Sequence, residues 1–333
     1  MAFTVGLTST IPVEIVFAAG CLPLDLNNLF ITSPSPEKLL QQAERAGFAH
    51  NICAWIKGIY AVTVQHQIPC VIAVTGGDCS NTIALAEVLE QRGVRVIPFD
   101  FPLQRDYGVL ERQMRNLSQA LGAPWDEVEK ARARLLPIRR KLQELDRLTY
   151  EGNRVTGLEN HLFLVTSSDF RSNPEAYEKE LDRFLQEAAT RSPMEESVRL
   201  GYLGVPPIFS DLYEFLESIG ARVVFNEIQR QFSMPFEGED LVEQYLKYTY
   251  PYGIRGRLED IQKAIQERRL DGVLHYTQTF CFRQIYDILF RENLLLPVLT
   301  VEGDKPGKVD GRTATRLETF VEMVRMRKGD LWV

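Results

Sequence analysis

No apolar run in this chain of 333 residues reaches the roughly 18 residues that a membrane-spanning helix needs, so a transmembrane protein is not expected. Excess positive charge is missing too. Lys and Arg total 38 against 45 Asp and Glu, a net charge of −7, which removes the electrostatic drive toward a nucleic acid. A small anion needs only a local basic pocket and stays possible. Paired-cysteine knuckles are absent, and the four histidines are not placed for a zinc site. There is no internal repeat, low-complexity tract or heptad run. The segment Phe17-Ala18-Ala19-Gly20-Cys21 looks like a lipoprotein cleavage box, but no Lys or Arg precedes Cys21, and Pro12 and Glu14 interrupt the stretch. A cytoplasmic protein is expected.

What remains is the composition of a soluble globular protein, 45% hydrophobic and 25% charged, long enough for two ordinary domains. Five cysteines, Cys21, Cys53, Cys70, Cys79 and Cys281, are an odd and scattered set. That argues against a disulfide framework and for reduced thiols that serve as core residues, ligands or nucleophiles.

Short apolar runs alternate with amphipathic stretches. The patterning predicts strands at 22–26, 70–74, 94–99, 200–205, 222–226, 272–276 and 297–301. Helices are predicted at 11–19, 36–46, 55–65, 81–92, 174–190, 210–219, 258–268, 282–292 and 313–327. Residues 107–150 carry almost pure helical periodicity, with a break near Gly122-Ala123-Pro124. Strands separated by helices mean βαβ units and parallel sheets. The expected architecture is α/β, two Rossmann-like lobes (1–106 and 158–333) joined by a helical bridge (107–157). Loops that follow strands in both lobes would feed a site in the cleft between them.

Cys53, Cys79 and Cys281 share a setting in that frame, since each sits where a loop enters a helix. The free N–H groups and partial positive charge of a helix start stabilise a thiolate, and thiolates hold iron–sulfur clusters. Cys70 begins an apolar strand and reads as core. Cys21 lies between a helix and a strand, with a lean toward core. His50, three residues before Cys53, is the one nearby candidate for a fourth ligand. Position alone leaves buried structural cysteines as the commoner alternative.

The residues around these cysteines resemble the 2-hydroxyglutaryl-CoA dehydratase component family, which includes 2-hydroxyacyl-CoA dehydratases and ATP-dependent benzoyl-CoA reductases. Four blocks carry the resemblance, in order along nearly the whole chain. They are Pro12 to Gly20 with Leu22-Pro23-Leu24; Cys53 and its helix; Gly77-Asp78-Cys79-Ser80-Asn81-Thr82 with Asp100-Phe101-Pro102; and Asp271-Gly272-Val273 through Phe280-Cys281, Leu296-Pro297-Val298 and Glu302-Gly303-Asp304 to Thr315–Glu322. The resemblance implies a [4Fe–4S] cluster on Cys53, Cys79 and Cys281, with one iron not held by protein thiolate. It also implies a homologous second subunit, an ATP-dependent activator iron–sulfur protein, and one-electron reduction of an acyl-CoA thioester. Lys247 to Tyr252 reads Lys-Tyr-Thr-Tyr-Pro-Tyr where many relatives have a cysteine, and no adjacent cysteine pair is present, so a single cluster is expected. Two other readings fit the same residues: a partner that relays electrons without touching substrate, and a metal-free two-lobed binder of small molecules.

Further candidates are weaker. Arg255 and Arg257 sit on a Gly-bearing segment that would suit CoA phosphates or be an ordinary solvated turn. Glu14 is a candidate acid or base near the cleft, against the commoner helix-surface carboxylate. Ser80 and Thr82 are expected to cap the helix after Cys79 and to reach cluster sulfides. Arg316 and Glu318 would pair and brace the cleft. Gly76-Gly77 suits close approach of a bulky group. Tyr248, Tyr250 and Tyr252 fit either a pocket lining or a packed loop.

Overall fold

In the computed structural model, which describes residues 3–195 and 198–330, the alternating pattern produces two four-stranded sheets, each wholly parallel. The first contains β1 (Thr4–Leu7), β2 (Leu22–Asp25), β3 (Cys70–Gly76) and β4 (Arg95–Asp100), in the order β2-β1-β3-β4. The second contains β5 (Val198–Leu203), β6 (Ala221–Asn226), β7 (Gly272–Gln278) and β8 (Val298–Gly303), in the order β6-β5-β7-β8. The expected two-lobed α/β class is therefore observed, and both lobes wind the same way. Parallel strands covered on both faces read as unbroken apolar runs. The interior of β3 and the whole of β7 are buried accordingly.

β1 is absent from the sequence-based expectation, because four residues are too few to show a period. Its consequence is large. The chain leaves β1 for β2 on one side and then returns to β3 on the other, so the carboxyl ends of β1 and β3 part and open a crevice. β5 and β7 do the same in the second sheet.

The two expected bridge helices are Tyr107–Leu121 and Trp125–Tyr150. The lobes also interleave. Ile228, Met234, Leu241, Tyr245 and Tyr248 from the second half of the chain share a core with Val5, Leu7 and Ile72 of the first sheet. Glu14 is held in this seam. Its side chain is fully buried, pairs with Arg139 of the long bridge helix at 2.5 Å, and accepts a hydrogen bond from the Tyr245 hydroxyl at 3.0 Å. The helix Val13–Ala18 looks amphipathic but is covered by the bridge helices. Glu14 is thus neither a surface carboxylate nor a cleft acid; it is a buried tie between three parts of the fold.

A second seam joins the end of β2 to the segment after the helix Gly157–Thr166. The Asp25 N–H donates to an Asp169 oxygen at 2.8 Å, and the Ser168 hydroxyl donates to Asp25 at 2.6 Å. Both carboxyls are buried. Burial, and then the neighbouring Asp25 charge, push Asp169 up to about 7. The folded state therefore binds a proton that the unfolded state releases near pH 4. Its stabilising contribution is complete below pH 4 and is lost as pH rises through about 7. We expect wild-type protein to be less stable at pH 8 than at pH 5. Asp169→Asn should remove about 2–4 kcal/mol of that difference, as read from urea midpoints at the two pH values. An unchanged slope in the variant would put the titration elsewhere.

Candidate functional site

The crevices of the two sheets face one another across a cavity of about 220 Å³. Thr8-Ser9-Thr10 after β1, Asp78-Cys79 after β3, Val205-Pro206-Pro207 after β5 and Phe280-Cys281 after β7 all line it. The fifth contributor is the start of the helix Ala54–Gln65, where Cys53 stands immediately before the first turn. Three of the five thiols, those expected from the sequence, are thus on the wall of one cavity. Cys70 is fully buried at the opposite, amino end of β3, and partly exposed Cys21 lies close enough to influence it.

Backbone N–H groups in the turns that follow favour the charged form of each cavity thiol, although Cys53 and Cys281 make no side-chain capping bond. Trp55 and Ile56 serve Cys53, Asn81 serves Cys79, and Arg283 serves Cys281, all from the turns that follow. Burial works the other way and raises all three, Cys79 to about 12, with Asp78 adding to the push. A thiolate here thus needs a cation to replace lost water. A negative charge on any of the three sulfurs would be felt by the other two. Among the described residues no three His, Cys, Asp or Glu side chains converge on a point that would grip a single metal ion. A cubane makes a different demand, because it offers each thiolate its own iron and holds the sulfurs apart. Three separated, N–H-supported thiols around one cavity fit that group.

The cysteine loops are tied across the lobes. Arg283, two residues after Cys281, donates to the Gly77 carbonyl at 2.7 Å and to the Tyr250 carbonyl at 3.4 Å, and its guanidinium lies 4.2 Å from the Tyr250 ring centre. Tyr250 in turn donates through its hydroxyl to Asp78 at 3.2 Å. Gly77 adopts φ +86°, and an added Cβ there would stand 2.8 Å from Phe101 Cβ and from the Pro251 carbonyl oxygen. The bulky group that approaches this glycine is therefore the protein itself. Phe280 takes a left-handed φ of 65° just before Cys281. That is an uncommon conformation for a bulky residue, kept only where the surroundings enforce it.

Several expected residues lie elsewhere. Arg255 and Arg257 are in the first turns of the helix Ile254–Glu267, not on a loop, because Gly253 already acts as its cap. Arg255 is exposed, and Arg257 is buried in a two-bond pair with Glu227 at 2.6 and 2.9 Å. Neither lines the main cavity, so the structure does not bring them together as a phosphate site. Ser80 and Thr82 do line it, but the Ser80 side chain makes no capping bond, since its own backbone is already helical. His50 is exposed beside Glu44 and away from the cavity. Arg316 donates to the Thr300 carbonyl instead of pairing with Glu318. Of the tyrosines, Tyr250 lines the cavity, while Tyr248 and Tyr252 pack on Phe101. Sequence reasoning missed Arg283, which reads as an ordinary helix-surface cation, and His161, which sits on the unexpected helix Gly157–Thr166 and lines the cavity with its ring 5.1 Å from that of Tyr213.

A fold that pairs two doubly wound lobes and brings thiols from both to their facing switch points defines a class of two-lobed cleft protein. The chain belongs to the 2-hydroxyglutaryl-CoA dehydratase D-component family, whose model matches residues 8–324, nearly its full length. It is a dehydratase-type subunit. No curated protein matches it. No helix of the described residues is long and apolar enough to cross a membrane.

Proposed function

We propose that this chain is the [4Fe–4S]-carrying subunit of a 2-hydroxyacyl-CoA dehydratase, or of the related benzoyl-CoA reductase type, with Cys53, Cys79 and Cys281 as ligands. The observation that supports it most is the meeting of three helix-start thiols, two from one lobe and one from the other, on a single cavity wall. Held by these three cysteines, such a cluster would supply one electron to the thioester carbonyl; loss of the 2-hydroxyl as hydroxide, loss of a β-proton and return of the electron would leave enoyl-CoA, and in the reductase branch electrons would enter an aromatic ring instead.

The chain's own residues prepare that site. Backbone N–H groups after each cysteine offset part of the burial that opposes the thiolate, and the bound irons would supply the rest. The Arg283–Tyr250–Asp78 tie keeps the loop of Cys281 in register with that of Cys79 across the lobe boundary. Trp55, Ile56 and Ile59 on one side and Phe232 and Phe280 on the other make the wall apolar, which excludes water from a reactive radical. Lobes at 1–106 and 158–333 with a bridge at 107–157, a cytoplasmic setting, a homologous second subunit and an ATP-dependent activator complete the proposal.

Anaerobic preparation should give a brown protein with about four irons per chain. With activator, ATP, reductant and a panel of 2-hydroxyacyl-CoAs it should form enoyl-CoA. A colourless, iron-free protein would end the cluster assignment. Iron without turnover in every pairing would instead favour the electron-relay role.

A further inference from the structure

The wall of the cavity away from the thiols is nearly devoid of available positive charge. Among the described residues that line it, Arg283 is the one Arg or Lys. Its two terminal nitrogens each donate one bond, to the Gly77 and Tyr250 carbonyls, its plane lies against Tyr250, and its Nε is buried without a partner and out of a ligand's reach. His161 is held neutral, because burial pulls it down to about 4. The other acids on the wall are Asp25, which burial raises above the usual carboxylate range, and Asp78 beside Cys79. Around them the surface is apolar: Ile31, Leu162, Val165, Pro206, Ile228 and Phe232.

A ligand tail ending in a carboxylate would lose its water here, find Arg283, already bonded and largely buried, as its one cation, and face two acids. An uncharged tail would only exchange water for apolar contact. A buried anion without a partner is among the most unfavourable arrangements a binding site can impose, and a site can select by that penalty alone. We propose that the acyl group taken by this cavity is uncharged and apolar, and that acyl groups ending in a second carboxylate are rejected. The inference rests on the acyl-CoA reading above and narrows it.

The test is a matched pair of thioesters that share the CoA portion and differ only at the tail, 4-methylpentanoyl-CoA and glutaryl-CoA, titrated calorimetrically into the anaerobically prepared full chain. We expect 4-methylpentanoyl-CoA to bind at least about tenfold more tightly. In Leu162→Arg the gap should narrow through a gain in glutaryl-CoA affinity. Leu162 is 44% exposed on the cavity rim and has room for the longer side chain. Equal or tighter binding of glutaryl-CoA by the wild type overturns the inference but leaves the thioester reading standing. An unchanged gap in Leu162→Arg also overturns it, since the tail would then lie outside this cavity. Binding of neither thioester overturns the thioester reading itself and the inference with it.

Discussion

Cys79→Ala protein, prepared without oxygen, is expected to retain almost none of the iron and acid-labile sulfide bound by the wild type, and Cys53→Ala and Cys281→Ala should behave alike. Each of the three thiols comes from a different loop, and among the described residues no fourth thiol lines the cavity to replace one of them. His50 is exposed and bonded to Glu44. Cys70 begins β3 while Cys79 follows its end, and a seven-residue strand separates its two ends by about 20 Å. Cys21 is at the same far end as Cys70. Two thiolates leave two irons of a cubane open, and burial, which already raises every thiol here, then favours protonation of those that remain. Cys70→Ala is the control. It should keep its full iron content and lose only the packing of a small buried side chain. Iron and sulfide assays with visible absorption decide the matter. Full iron in Cys79→Ala would sink the ligand assignment, and iron loss in Cys70→Ala would show that the far end of β3 reaches the cluster.

Why the thiols were legible before the fold was known is a matter of local chemistry. A cysteine at a loop-to-helix junction is visible in the sequence because the strand before it and the helix after it each have their own period. That held for Cys79 and Cys281, and for Cys53 ahead of a long apolar helix. Parallel sheets were legible for the same reason. The short strand β1 was not, although it creates the crevice in the first sheet, since four residues carry no periodic signal. Glu14 and Arg257 were misread for a different reason. Glu14 interrupts an apolar run and Arg257 lies in a polar segment, yet each is buried against a partner more than 25 residues away, Arg139 and Glu227 respectively. Periodicity reports which face of a helix is apolar; it does not report that another element covers the polar face. Arg283 shows the same blindness at the site, where an ordinary-looking cation turns out to link two of the cysteine loops.

The largest expected effect on stability comes from a pair that no pattern announces. Asp146, on the long bridge helix, accepts two hydrogen bonds from Arg268 at 3.0 and 2.5 Å and a third from Asn160 at 3.0 Å. Arg268 closes the helix Ile254–Glu267, donates also to the Val224 carbonyl of β6, and lies 4.3 Å from the Tyr150 ring centre. Burial works against the Asp146 charge, but Arg268 outweighs it and holds the carboxyl below its usual range. Replacing one partner strands the other. Asp146→Ala leaves a guanidinium buried among aromatic rings and should cost about 3–5 kcal/mol, seen as a lowered urea midpoint at pH 7. The double variant Asp146→Leu with Arg268→Met removes both charges and should recover most of that loss, because two well-packed apolar side chains often match a buried ion pair in stability. If the double variant is as unstable as Asp146→Ala, the damage lies in packing or in the bond to Val224, and the bridge is tied to the second sheet by shape more than by charge. If it recovers, the pair holds the bridge in one orientation against the second lobe.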